Sequence, residues 1–108
     1  MDTGTIFIPC DAAELVRQIG RGNILAISGG RVMARETGIT LPVDCGYSVT
    51  VDLAAGDTYV VRRIFRRGRR EWVRGERADV YCDEVGEVAY LASSFRSYSG
   101  DEWPRMSR

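Results

Sequence analysis

The chain contains no histidine and no lysine among its 108 residues. Without histidine it lacks the commonest general base, the commonest metal ligand, and any Ser-His or Cys-His nucleophile pair. The expectation is a non-enzymatic protein with no catalytic residue, no cofactor and no bound metal. Without lysine, all 15 basic residues are arginine, a usage that fits a genome rich in G and C and says nothing about function. The three cysteines, Cys10, Cys45 and Cys82, are odd in number, widely separated and free of any CxxC pair. A disulfide framework or zinc knuckle is therefore not expected, and buried thiols are the plain reading. No apolar run approaches the roughly 20 residues that a membrane-spanning helix needs. Met1 to Ile8 also lacks a basic start followed by a long apolar stretch. The expectation is a cytoplasmic protein without membrane contact.

What is there describes one ordinary globular unit. A chain of this length holds one core and not two, and 44% hydrophobic with 28% charged residues is well away from the profile of disordered chains. A single α+β domain is expected over residues 1–97, followed by a polar, flexible tail over 98–108. The formal net charge of zero hides an asymmetry. Residues 62–77 hold eight arginines against Glu71 and Glu76, a local balance of +6. Residues 1–61 carry four arginines and seven acids, and residues 78–108 three and six, so each flank stands at −3. One segment is basic and the rest is acidic.

Along the chain, Ile6 to Ile8 reads as a short edge strand. Asp11 followed by Glu14 makes a capping-box-like start, with Leu15, Val16 and Ile19 sharing a helical face before Gly20 and Gly22. Asn23 to Ser28 reads as an apolar strand, Gly29-Gly30 as a hairpin turn, and Val32 to Arg35 as the return. Ile39 to Val43 adds a strand whose Pro42 suggests an edge. From Tyr47 to Leu53 the alternation puts Tyr47, Val49, Val51 and Leu53 on one side and Ser48, Thr50 and Asp52 on the other. Ala54 to Asp57 is a turn, Thr58 to Arg67 a long strand and Glu71 to Gly75 its partner. Asp79 opens a closing helix on which Tyr81, Val85, Val88, Ala92 and Phe95 follow helical spacing. These elements predict an antiparallel β-meander with an N-terminal and a C-terminal helix packed on one face.

The run Gln18-Ile19-Gly20 leading to Asn23-Ile24-Leu25-Ala26-Ile27-Ser28-Gly29, then Asp57-Thr58-Tyr59, then Asp79-Val80-Tyr81 opening a helix, resembles small uncharacterised proteins encoded by bacteriophages and prophages, especially of actinobacteria. The resemblance spans roughly Glu14 to Phe95 and lies in order and spacing, so it carries over no site residues. It implies a phage setting, where small non-enzymatic proteins often bind nucleic acid or block a host factor, as anti-CRISPR and host-takeover proteins do.

The basic hairpin is the surface to which function is best assigned. With Gly68-Arg69 as a two-residue, Gly-first turn, Arg66 faces Glu71, Phe65 faces Trp72 and Ile64 faces Val73, and each pair is favourable. A slip by two residues sets Phe65 against Arg70 and Ile64 against Glu71, which loses the aromatic pair. If Ala54 to Asp57 is a four-residue loop, Val51 faces Val60, Val49 faces Arg62 and Tyr47 faces Ile64. Arg62 is then the one awkward member of the core face. The opposite, open face gathers Arg63, Phe65, Arg67, Arg70, Trp72 and Arg74. Open sheets that bind nucleic acid combine aromatic rings for base stacking with guanidinium groups for phosphate. Trp, Phe and Arg are equally the residues of protein interface hot spots, so a host or anti-phage defence protein stands beside nucleic acid as partner. An Arg-rich hairpin also serves as a solvated, aggregation-resistant edge, with Phe65 and Trp72 covered by a helix or another chain.

Two weaker signals carry less. Gly20, Gly22, Gly29 and Gly30 match neither GxGxxG nor a P-loop, and turn chemistry accounts for them. Asp79, Asp83, Glu84 and Glu87 sit where carboxylates favour a helix dipole. They would also attract the arginine hairpin of a second copy, which leaves a homodimer open.

Overall fold

A computed structural model describes residues 6–94. The chain begins with α1 (Ala12–Ile19), which Asp11 caps by accepting the Ala13 and Glu14 backbone N–H groups on its side chain. Leu15 and Ile19 are the buried residues of this helix. Gly20, at φ +98°, then turns the backbone directly into α2 (Arg21–Ser28).

The second helix corrects the strand expected at Asn23 to Ser28. Ile24, Ile27 and Ser28 are its buried residues, which is helical spacing in a run too short for periodicity alone to decide. Asn23 ties the two helices by donating from Nδ2 to the Ile19 carbonyl at 2.9 Å. Gly29-Gly30 is accordingly a helix end and not a hairpin turn. Gly29 takes the left-handed conformation and donates its N–H to Leu25 at 2.9 Å.

Five strands follow as an antiparallel meander in the order β1-β2-β3-β4-β5: β1 (Met33–Ala34), β2 (Gly38–Pro42), β3 (Tyr47–Ala54), β4 (Thr58–Arg67) and β5 (Arg70–Val80). Phe7 bridges to Ala54 beside the end of β3. The last strand runs five residues past the expected Gly75, with register shifts against β4 near Arg74 and near Asp79. Such irregularities twist an edge strand away from further pairing. Asp79 is therefore a strand residue at φ +58° and no helix cap. The closing helix α3 (Val85–Ser94) starts later, where Glu84 accepts the Tyr81 backbone N–H on its carboxylate at 3.2 Å. The expected Phe95 of this helix and the tail over 98–108 lie outside the described residues.

All three helices cover one sheet face. Leu15, Ile19, Ile24, Ile27, Val85, Val88, Ala89 and Ala92 meet Ile39, Leu41, Val49, Val51, Tyr59, Val61 and Val80 in one core. The architecture is α+β as expected, with two helices at the N-terminal side in place of one. No helix among the described residues is long and apolar enough to cross a membrane.

Candidate functional site

The β4–β5 hairpin has the expected register at its tip. Arg67 pairs with Arg70, Arg66 with Glu71, Phe65 with Trp72 and Ile64 with Val73. Gly68 sits at φ +63°, the left-handed value a Gly-first two-residue turn requires.

The pairing of β3 with β4 differs by one residue from the expected one, and that difference moves the hairpin to the other side of the sheet. Ala54 pairs with Thr58, so the loop is the three residues Ala55, Gly56 and Asp57, with Gly56 and Asp57 both at positive φ. Val51 then faces Val61, Val49 faces Arg63 and Tyr47 faces Phe65. Because side chains alternate along a strand, one residue of slip exchanges the two faces. Phe65 and Trp72 are cross-strand neighbours as expected, but they share the helix-covered face with Val49 and Val51. Arg62, the expected misfit of the core, points to the open face, and Arg63 occupies the core instead.

Arg63 is only 4% exposed. Its Nη1 donates to the Ala92 carbonyl near the end of α3 at 2.7 Å, and its guanidinium lies 4.1 Å from the centre of the Tyr47 ring. A cation near a helix C-terminus and over an aromatic face is held by both. From Tyr47 the aromatic contacts continue outward. Tyr47 and Phe65 have ring centres 4.8 Å apart, and Phe65 and Trp72 are stacked at 5.6 Å with 24° between their planes. Arg74 approaches Phe65 at 5.8 Å, and its Nε is buried with no hydrogen-bond partner among the described residues. Trp72 is 40% exposed, while Arg67 and Arg70 are exposed at the tip.

The predicted set therefore divides. Phe65, Arg67, Arg70, Trp72 and Arg74 come together on the end of the helix-side face that no described helix covers, and Tyr47, which sequence reasoning left out of the set, joins them. Arg63 lies beneath, turned away from solvent. The signal for Tyr47 was its place at the head of the alternating run, two residues before Val49 on the same side.

The opposite sheet face is open and forms a shallow depression of about 800 Å3. Its arginines are matched by acids. Arg35 pairs with Asp52 at 2.9 Å, Arg62 with Glu76 at 2.9 Å and Arg66 with Glu71 at 2.8 Å. Thr37 also donates to Asp52 at 2.7 Å. Among the described residues Arg67, Arg69 and Arg70 have no such carboxylate, so the uncompensated positive charge concentrates at the tip and on the aromatic side.

The three thiols are free, with Cys45 and Cys82 exposed and Cys10 partly covered, which corrects the buried reading for the two exposed ones. No group of three acidic or cysteine residues could hold a metal among the described residues. The chain matches no protein-family model, no curated protein and no solved structure.

Proposed function

We propose that this is a non-enzymatic, phage-type accessory protein that binds nucleic acid on the helix-side face of its β4–β5 hairpin, acting in the cytoplasm of the host cell. The observation that carries this reading is the half-exposed Trp72 stacked on Phe65 with Arg67, Arg70 and Arg74 around it. A base stacks on an exposed indole, and guanidinium groups donate hydrogen bonds to phosphate oxygens. Arg63 contributes by holding Tyr47 and α3 and does not touch the ligand.

The same cluster supports a second reading, a modulator that plugs into a host or anti-phage defence protein. Trp72 beside arginines is the composition of an interface hot spot. Binding of wild type, Arg67→Ala, Arg70→Ala, Arg74→Ala and Trp72→Ala to labelled oligonucleotides, read by fluorescence anisotropy, separates the two. Phosphate-dominated binding predicts comparable losses from each arginine and a steep fall with salt. A dominant loss from Trp72→Ala in the affinity for a protein captured from host lysate after nuclease treatment, with no oligonucleotide binding at low salt, would replace the first reading by the second.

A further inference from the structure

The hairpin tip sets two like charges on opposite strands of one residue pair. Arg67 and Arg70 are direct cross-strand partners on the same side of the ribbon, and like charges so placed repel. At two other pairs of this hairpin the chain sets an acid opposite the base, Arg66 with Glu71 and Arg62 with Glu76. At the last pair before the turn it sets two arginines opposite each other, with Arg69 in the turn itself and no carboxylate paired with any of them among the described residues. An anion with several acceptor oxygens placed between them would convert that repulsion into charge-assisted hydrogen bonds.

Trp72 stands next to this pair. It follows Arg70 by two residues on the same side of β5, roughly 7 Å along the strand, a reach within one nucleotide from phosphate to base. One ring face lies against Phe65, and among the described residues β5 is the last strand of the sheet. A base can lie on an aromatic ring only when its own face is free, and in a duplex both faces are covered by neighbouring pairs.

We propose that Arg67 and Arg70 form a phosphate clamp that, together with the open ring of Trp72, selects single-stranded over double-stranded nucleic acid. The proposal rests on the nucleic-acid reading above and names the form of nucleic acid and the residues that choose it.

The test uses the full chain in two independent arms. In the first, anisotropy compares a mixed-sequence DNA strand, the same sequence as RNA, and the corresponding DNA duplex. The single strands should bind about tenfold or more tightly than the duplex, and Trp72→Leu should remove that preference, as expected for loss of one stacked base. Arg67→Gln and Arg70→Gln should each weaken single-strand binding several-fold, while Arg21→Gln, an exposed change of equal charge on α2, leaves it unaltered. In the second, the thermal midpoint is followed with inorganic pyrophosphate against chloride at matched ionic strength. Pyrophosphate should raise the midpoint of wild type and not that of the Arg67→Gln/Arg70→Gln variant, which should itself be no less stable than wild type in chloride. Duplex binding equal to or tighter than single-strand binding would overturn the inference and leave the nucleic-acid reading standing. Absence of binding to any oligonucleotide at low salt would remove that reading, and the strand selection with it. No pyrophosphate effect would remove the clamp whatever the oligonucleotides do.

Discussion

Arg63 places a full charge in a core built mainly of valine, isoleucine, leucine and alanine, and burying a charge is costly unless partners receive it. Here the Ala92 carbonyl and the Tyr47 ring do so. Replacing it by methionine keeps the bulk and removes both contacts. Arg63→Met should therefore destabilise the domain by about 2 kcal/mol, the scale of a hydrogen bond to a charged group, read as a lower urea midpoint at unchanged slope. An unchanged midpoint would mean that these contacts merely offset desolvation. Tyr59 is a second polar group in the core, donating its phenol to Gln18 Oε1 at 2.7 Å. Burial, followed by the negative charge of Cys10, Cys82, Glu14 and Asp57, pushes this phenol up from 10.0 to about 12. A folded-state value above the unfolded one stabilises the fold fully below pH 10 and loses that contribution as pH rises toward 12. The ultraviolet absorbance titration of wild type minus that of Tyr59→Phe should show a single late ionisation, coinciding with a fall in stability. An ordinary tyrosine titration in that difference would contradict the buried, proton-donating role.

At the scale of elements, legibility followed the number of residues that vote on each assignment. The β4–β5 tip was readable because Arg66 with Glu71, Phe65 with Trp72 and Ile64 with Val73 all prefer one register. The Asp11 cap and the spacing of Leu15 and Ile19 marked α1 equally well. Asn23 to Ser28 was misread because its apolar residues suit either a strand or a helix. Two glycines just before it looked like a terminator, whereas Gly20 is a corner between helices. The loop before β4 was legible as a turn but not to the single residue that sets its parity. Ala54 is chemically as good a loop residue as a strand residue, and its pairing with Thr58 is a tertiary outcome. That one residue exchanged Arg62 and Arg63 between faces, which is why Phe65, Arg67, Arg70, Trp72 and Arg74 were expected together but on the other side of the sheet, and Arg63 with them. The close approach of α3 to α1 was invisible in the sequence. A Cβ added at Gly86 would collide with the Ile19 carbonyl oxygen and press on the Asn23 side chain. Gly86→Ala should consequently cost about 2 kcal/mol or more by forcing the helices apart, seen as a drop in thermal midpoint. Gly22→Ala, where nothing lies within 4 Å, should not lower it.

Across the whole molecule the net charge is zero, yet the proposed activity requires a positive surface, and distance reconciles the two. The described body measures about 33 × 33 × 31 Å, several times the Debye length of roughly 8 Å at physiological ionic strength. Acids on remote helices are therefore screened from the hairpin tip, and only charges within a few ångströms compensate one another. Of the arginines in residues 62–77, Arg62 and Arg66 are already matched by carboxylates on the open face, and Arg63 is enclosed. Arg69 lies in the turn and Arg77 stands farther along β5 opposite Val61, which leaves Arg67, Arg70 and Arg74 beside the aromatic rings to meet phosphate. Each phosphate neutralised on a single strand contributes about −0.7 to the slope of log affinity against log salt, so three contacts predict a slope of about −2. Counting all of the segment's +6 would predict about −4, and counting the net charge would predict none. Arg67→Gln or Arg70→Gln should each flatten the slope by about 0.7, whereas Arg62→Gln should leave it nearly unchanged. A salt series on wild type and these three variants distinguishes the cases. A slope that responds to Arg62→Gln and ignores Arg67→Gln and Arg70→Gln would place the ligand on the open face of the sheet and overturn the assignment of the site.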